Sequence, residues 1–173
     1  MTSIKNDLKQ DIVPSDHQSD IRFFFCDYTN DTHCKRLVEL IGQYRNDPMG
    51  ESNQVTGVKA ADLIAGLAHH PSSFVLFIEY SDKMIGLATC FINFSTFRAK
   101  SYINVHDIFI ERQYRGKGFG RLLMNEIISF ARLRNYCKVN LEVREDNISA
   151  KTLYQSLGFH DTEPVMHFWT KYL

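Results

Sequence analysis

The stretch QYRGKGFG, Gln113 to Gly120, places three glycines within five positions directly before a run of helix-forming residues. Glycine inside an ordered element costs roughly 0.5–1 kcal/mol relative to alanine, so a cluster at the mouth of a helix suggests that something approaches the backbone closely. A helix N-terminus presents unpaired N–H groups and the positive end of a dipole, which together favour an anion. Arg112, Arg115, Lys117 and Arg121 add positive charge around the same turn. Two familiar phosphate loops fail on spacing. No GxxxxGK[ST] occurs around these glycines, and three residues beyond Gly118 the dinucleotide pattern GxGxxG meets Arg121.

The elements around this loop follow from hydrophobic period and breakers. Residues 1–20 are polar and are expected to form a flexible leader, with one domain over 21–173. IRFFFCDY (21–28) is a first strand; Leu37, Val38, Ile41 and Tyr44 then recur at helical spacing after a candidate Thr32 cap. Pro48 and Gly50 mark a loop, and a second short helix stops before Pro71. SFVLFIEY and KMIGLATCFINF form a hairpin about Ser81-Asp82, and STFRAK leads into a buried strand over 101–110. A helix from about Gly118 to Arg134 follows the glycine loop, then a strand over 137–143 and a short helix stopped by Gly158. VMHFWTKYL closes the chain as a strand, with a further short strand possible near His160.

Gln113-Tyr114-Arg115-Gly116-Lys117-Gly118 has the form Q/R-x-x-G-x-G/A between a strand and a helix. It resembles the pyrophosphate-binding motif of the GNAT N-acetyltransferases. Downstream, Asn147, Ala150, Tyr154 and Gly158-Phe159 fall where a second motif of that family lies. The specific likeness covers about residues 101–160, and the order of elements extends it to 21–173. The resemblance implies an α/β (α+β) fold: a mixed, mostly antiparallel sheet of six to seven strands, splayed between the fourth and fifth and flanked by about four helices. It implies acetyl-CoA as cosubstrate, held by Arg115, Gly116, Lys117, Gly118, Phe119, Gly120 and Arg121. The main chain of Ile108, Phe109 and Ile110 would pair with the pantetheine, and Asn147 and Tyr154 would contact the same arm.

Acetyl transfer to an amine by direct attack needs a neutral nitrogen, support for the oxyanion of a tetrahedral intermediate and a proton for the leaving thiolate. Tyr154 takes the family's general-acid position, and a phenol is protonated at neutral pH. For the base the candidates are His106, whose imidazole has a suitable unperturbed pKa, Asp107 or Glu142 through water, or no dedicated group. Strand alternation puts His106 and Asp107 on opposite faces. Asp47, Glu51, Phe94, Phe97 and Glu142 are candidate contacts for a cationic amine, each equally readable as a solvated acid or core aromatic.

Composition bounds the rest. Twenty basic residues balance twenty acidic ones, which gives no global field toward nucleic acid or membrane. Cys26, Cys34, Cys90 and Cys137 show no metal spacing and fit free thiols in a cytoplasmic monomer or homodimer. The reading is an N-acetyltransferase acting on a primary amine of a small molecule or protein. Its rival is a non-catalytic acyl-CoA sensor or interaction module of the same fold.

Overall fold

The computed structural model describes residues 20–50 and 59–171, so the polar leader and Glu51 lie outside the described residues. Those residues fall into two compact units, one up to Glu142 and one from Val143. The first carries strands β1 (Ile21–Phe25), β2 (Ser73–Tyr80), β3 (Lys83–Ser95), β4 (Lys100–Ile110) and β5 (Val139–Leu141). Its helices are α1 (Asp31–Arg45), α2 (Ala60–His69) and α3 (Phe119–Leu133). The second carries α4 (Ile148–Ser156).

The sheet has five strands in the order β1-β2-β3-β4-β5, antiparallel except for the parallel β4–β5 pair. Short connections make the central meander. Ser81 and Asp82 take positive φ of 49° and 61°, the two-residue turn whose twist suits a hairpin. Val75, Phe77, Leu87 and Phe109 bury one face against Leu37 and Leu40 of α1 and Leu67 of α2. On the other face, Phe130 of α3 packs edge-on to Phe25 and Phe74, with ring centroids 5.5 and 5.6 Å away. Asn30, not Thr32, caps α1: its side-chain oxygen accepts from the N–H of Thr32 and of His33 at 2.9 and 3.3 Å.

Two departures from the sequence expectation matter. The sheet has five strands among the described residues, where six to seven were expected. Residues 165–171 form no ladder, and Val165, Met166, Phe168 and Trp169 are exposed. Apolar and aromatic composition supplies strand propensity, but a strand forms only against a partner edge. The second departure lies within β4. Thr89 pairs with Asp107 and Cys90 with Val105, so β4 carries one extra residue, His106, as a bulge. The β5 ladder ends at the same place, with Val105 opposite Leu141 as its last pair. A bulge bends its strand and increases local twist. From His106 to Ile110, β4 therefore runs on with β3 on one side and no ladder to β5 on the other.

Candidate active site

The glycine loop leaves β4 through a single 3₁₀ turn, Arg112–Tyr114, and enters α3 at Gly118. Gly116 and Gly118 both sit in the left-handed region, at φ 74° and 88°, which other residues reach only at a cost. A Cβ built on either would meet no protein atom within 4 Å, so the space beside both is open. Among the described residues the N–H groups of Gly116 to Gly120 have no protein acceptor. They form a rim of donors at the positive end of α3. Buried Phe119 anchors the rim from below, packed on Tyr80 and Tyr114 at 5.1 and 6.1 Å. Lys117 folds its ammonium over Tyr114 at 5.6 Å, and the Arg121 side chain is exposed on the first turn.

A carboxylate that the sequence reading did not single out holds this loop in place. Glu111 is 5% exposed and lies between β4 and the 3₁₀ turn. Its Oε1 accepts from Arg36 Nη2 at 2.5 Å and Gln43 Nε2 at 3.3 Å, both on α1. Its Oε2 accepts from Lys83 Nζ of β3 at 2.8 Å and Gln113 Nε2 of the loop at 3.2 Å. Burial opposes ionisation, but the bonds from Lys83, Arg36 and Gln43 outweigh it and hold the pKa down at about 2. Gln113, the first residue of the signature, thus faces the protein. The same spacing is met two residues later, by Arg115-x-x-Gly118-x-Gly120, with Gly118 at the helix mouth.

Arg115 also turns inward. Its Nε donates to the Ile110 carbonyl at 2.8 Å, its Nη2 pairs with Asp47 Oδ2 at 2.8 Å, and it lies over the Phe109 ring. Burial works against the Asp47 carboxylate, yet the Met49 N–H and Arg115 together lower its pKa. Asp47 is consequently a loop anchor with a committed cation. Main-chain direction sorts the β4 residues further. Glu111 N–H donates to Ile85 O at 2.9 Å, and alternation then gives Phe109 to the β3 ladder while Ile108 and Ile110 point the other way. With the Ile110 carbonyl taken by Arg115, the main-chain groups left on the open side are those of Ile108 and the Ile110 N–H.

The bulge changes the parity of β4. His106 is exposed, and its ring lies 5.6 Å from Phe91, whose side chain packs on the α1/α2 face. Asp107, opposite Thr89, belongs to that same face, so the two adjacent residues share a side instead of alternating. Burial raises the Asp107 pKa, with His106 and Thr89 opposing it. Of the remaining candidates, Phe94 and Phe97 are exposed, and Glu142 is an exposed residue just beyond β5. In the second unit, Asn147 caps α4 by accepting from the Ala150 N–H at 3.1 Å. Tyr154 is buried, 6.0 Å from Phe159, and its carbonyl accepts the Phe159 N–H at a turn where Gly158 takes φ 88°.

Comparison with known proteins agrees with this geometry. Residues 39–159 match the model of the acetyltransferase (GNAT) family. Over 88 residues the chain is 33% identical to an uncharacterised N-acetyltransferase of Methanocaldococcus jannaschii, covering 50% of this chain and 39% of that one. Over 55 residues it is 47% identical to N-alpha-acetyltransferase RimI of Mycobacterium tuberculosis, covering 32% and 33%. These matches thus span only about a third to two fifths of the relatives' length. Among solved structures, an aminoglycoside acetyltransferase from an uncultured soil metagenomic sample superposes with a TM-score of 0.73 at 15% identity, covering 88% of this chain and 97% of that one.

Proposed function

Because the chain belongs to the GNAT acetyltransferase family, we propose that it moves an acetyl group from acetyl-CoA to a primary amine by direct transfer. The observation that carries this is the donor rim at the mouth of α3. Five main-chain N–H groups without protein acceptors, two left-handed glycines and open space beside them fit a diphosphate. Acetyl-CoA supplies the activated acyl thioester. The rim from Gly116 to Gly120, with Lys117 and Arg121, holds the phosphates in register Arg115 to Gly120. Gln113 and Arg115 act indirectly, as braces of the loop. The outward main-chain groups of Ile108 pair with the pantetheine arm and place an N–H for the developing oxyanion. Tyr154 is assigned the proton for the thiolate and Asn147 a contact to the arm, both by family position. His106, Asp107 and Glu142 remain the candidate proton acceptors for the amine, the two acids through water. The same reading sets the protein in the cytoplasm, where thiols such as those of Cys90 and Cys137 stay reduced.

Gly118→Val tests the assignment. Its Cβ enters open space, and the branched side chain occupies the ligand's side of the loop and disfavours φ 88°. CoA affinity by calorimetry is expected to fall at least tenfold, with cooperative unfolding retained. Gly118→Ala should lose less. Unchanged affinity in a folded valine variant rules out the loop as the cofactor site. Thiol release on mixing acetyl-CoA with an amine panel separates an enzyme from a binding module.

A further inference from the structure

We infer that the face around Phe91, between His70 and His106 and beside Asp107, seats the acceptor, and that the acceptor is a cationic amine on an apolar or aromatic stem. This rests on the acetyl-transfer reading and names the other substrate of that reaction. Neither His70 nor Phe91 stands out in the sequence, because one ends a helix and the other belongs to a long apolar strand.

The four residues come from three elements. His70 follows the last residue of α2, where its Nδ1 accepts the Ser72 N–H at 3.3 Å. That bond orients the imidazole and leaves Nε2 outward. The ring stands at 81° to Phe91 with centroids 4.9 Å apart. His106, the bulged residue of β4, approaches the same phenyl ring at 73° and 5.6 Å. Two imidazoles thus flank one half-buried phenyl ring, each edge to face. Without the extra residue in β4, His106 would lie on the opposite face of the sheet.

Polar groups beside the rings define the charge of the occupant. Asp107 is half-buried and forms no salt bridge among the described residues. Opposite it, the buried Thr89 hydroxyl makes no hydrogen bond of good geometry among the described residues, although it lies close enough to favour the Asp107 charge. Buried polar groups are nearly always satisfied, so a loosely held hydroxyl beside a half-buried carboxylate whose only helpers are that hydroxyl and an imidazole marks a place completed by something else. An ammonium group fits both. It pairs with the carboxylate, donates to the hydroxyl oxygen, and lies near aromatic faces that attract cations. A stem of several carbons then extends along Phe91. An acceptor with a carboxylate next to its amine would face Asp107 and be disfavoured.

Location ties the seat to the chemistry. Asp107 and His106 sit where β5 leaves β4, one and two residues before Ile108. An amine held there reaches the acyl end of an arm laid along Ile108.

The experiment titrates the protein with phenethylamine, n-hexylamine and 2-phenylethanol while the histidine ring resonances are followed by NMR. His70→Gln and His106→Gln spectra assign the peaks. Both rings are expected to shift with phenethylamine, less with hexylamine, and not with the neutral alcohol. Asp107→Asn, nearly isosteric, and Phe91→Leu, which keeps an apolar side chain but removes the ring, should weaken phenethylamine binding at least tenfold while leaving CoA affinity unchanged. Still His70 and His106 resonances with every amine overturn the inference, as does undiminished amine binding in both variants. CoA is titrated separately by calorimetry: its failure to bind removes the acetyl-transfer reading, whereas the ring shifts and the two variants decide the amine seat.

Discussion

Tyr154→Phe is expected to lower kcat roughly ten- to a thousandfold, the range in which a positioned proton donor contributes. The substitution deletes one oxygen. The ring keeps its place 6.0 Å from Phe159, and the main-chain bond from Phe159 N–H to the residue-154 carbonyl is untouched. Thermal unfolding should therefore change little. If the phenol supplies the thiolate's proton, the lost rate corresponds to about 1.4–4 kcal/mol of barrier. A leaving thiolate can also take a proton from water, so some activity should persist, and a more acidic thiol in the donor should narrow the gap between wild type and variant. Wild-type turnover by the phenylalanine protein, measured where chemistry limits the rate, leaves Tyr154 as a packing residue.

The largest expected loss of stability comes from Glu111→Ala. Removing this carboxylate leaves the Arg36 guanidinium, whose side chain is only 12% exposed, with Glu39 and the Met84 carbonyl alone, and unties Lys83, Gln43 and Gln113 at once. Breaking one side of a buried ion pair typically costs about 3–5 kcal/mol, and the remaining Glu39 partner puts this one at the low end of that range. Urea unfolding should show a loss in that range, and CoA affinity should fall with it because the loop loses its brace. Glu111→Gln keeps shape and one acceptor and should cost less. The same group makes the fold acid-sensitive. Its pKa is depressed in the fold, about 2 against about 4.3 for an unfolded glutamate. Its contribution is thus fully present above the unfolded value and drains away as pH falls from about 5 toward 2. On the order of 3 kcal/mol is involved. The alanine protein should lack that part of the acid dependence; a wild-type-like stability curve between pH 5 and 2 would contradict it.

Most of the fold was legible because local signals agreed with one another. The Ser81-Asp82 hairpin, the helix opening at the glycine loop and the stop at Gly158 each rest on turn chemistry within a few residues. What escaped depends on pairing across the chain. Alternation assigns His106 and Asp107 to opposite faces, and only the register with Thr89 and Cys90 exposes the extra residue that puts them together. Arg115 reads as a phosphate ligand from its neighbours, yet Asp47 and the Ile110 carbonyl claim its guanidinium. Glu111 looked like one more polar residue beside a basic turn; a glutamate with four donors is visible only once α1 and β3 are folded against it. The strand expected at 165–173 shows the converse, a strong propensity with no edge to satisfy it among the described residues.

The tight meander from β2 to β4 has a kinetic consequence. Its two turns, Ser81-Asp82 and Thr96 to Ala99, close loops of a few residues and cost little chain entropy. Arg36 and Glu111, by contrast, must meet across 75 positions. Contacts with near neighbours in sequence form fast, and remote ones wait until the chain between them is ordered. The three-stranded ribbon can therefore assemble first, with α1 locking onto Glu111 afterwards. In the reverse direction the loop's brace is expected to release before the ribbon does. Slow amide exchange should concentrate in the ribbon, while the glycine rim opens under conditions in which the sheet behind it is still intact.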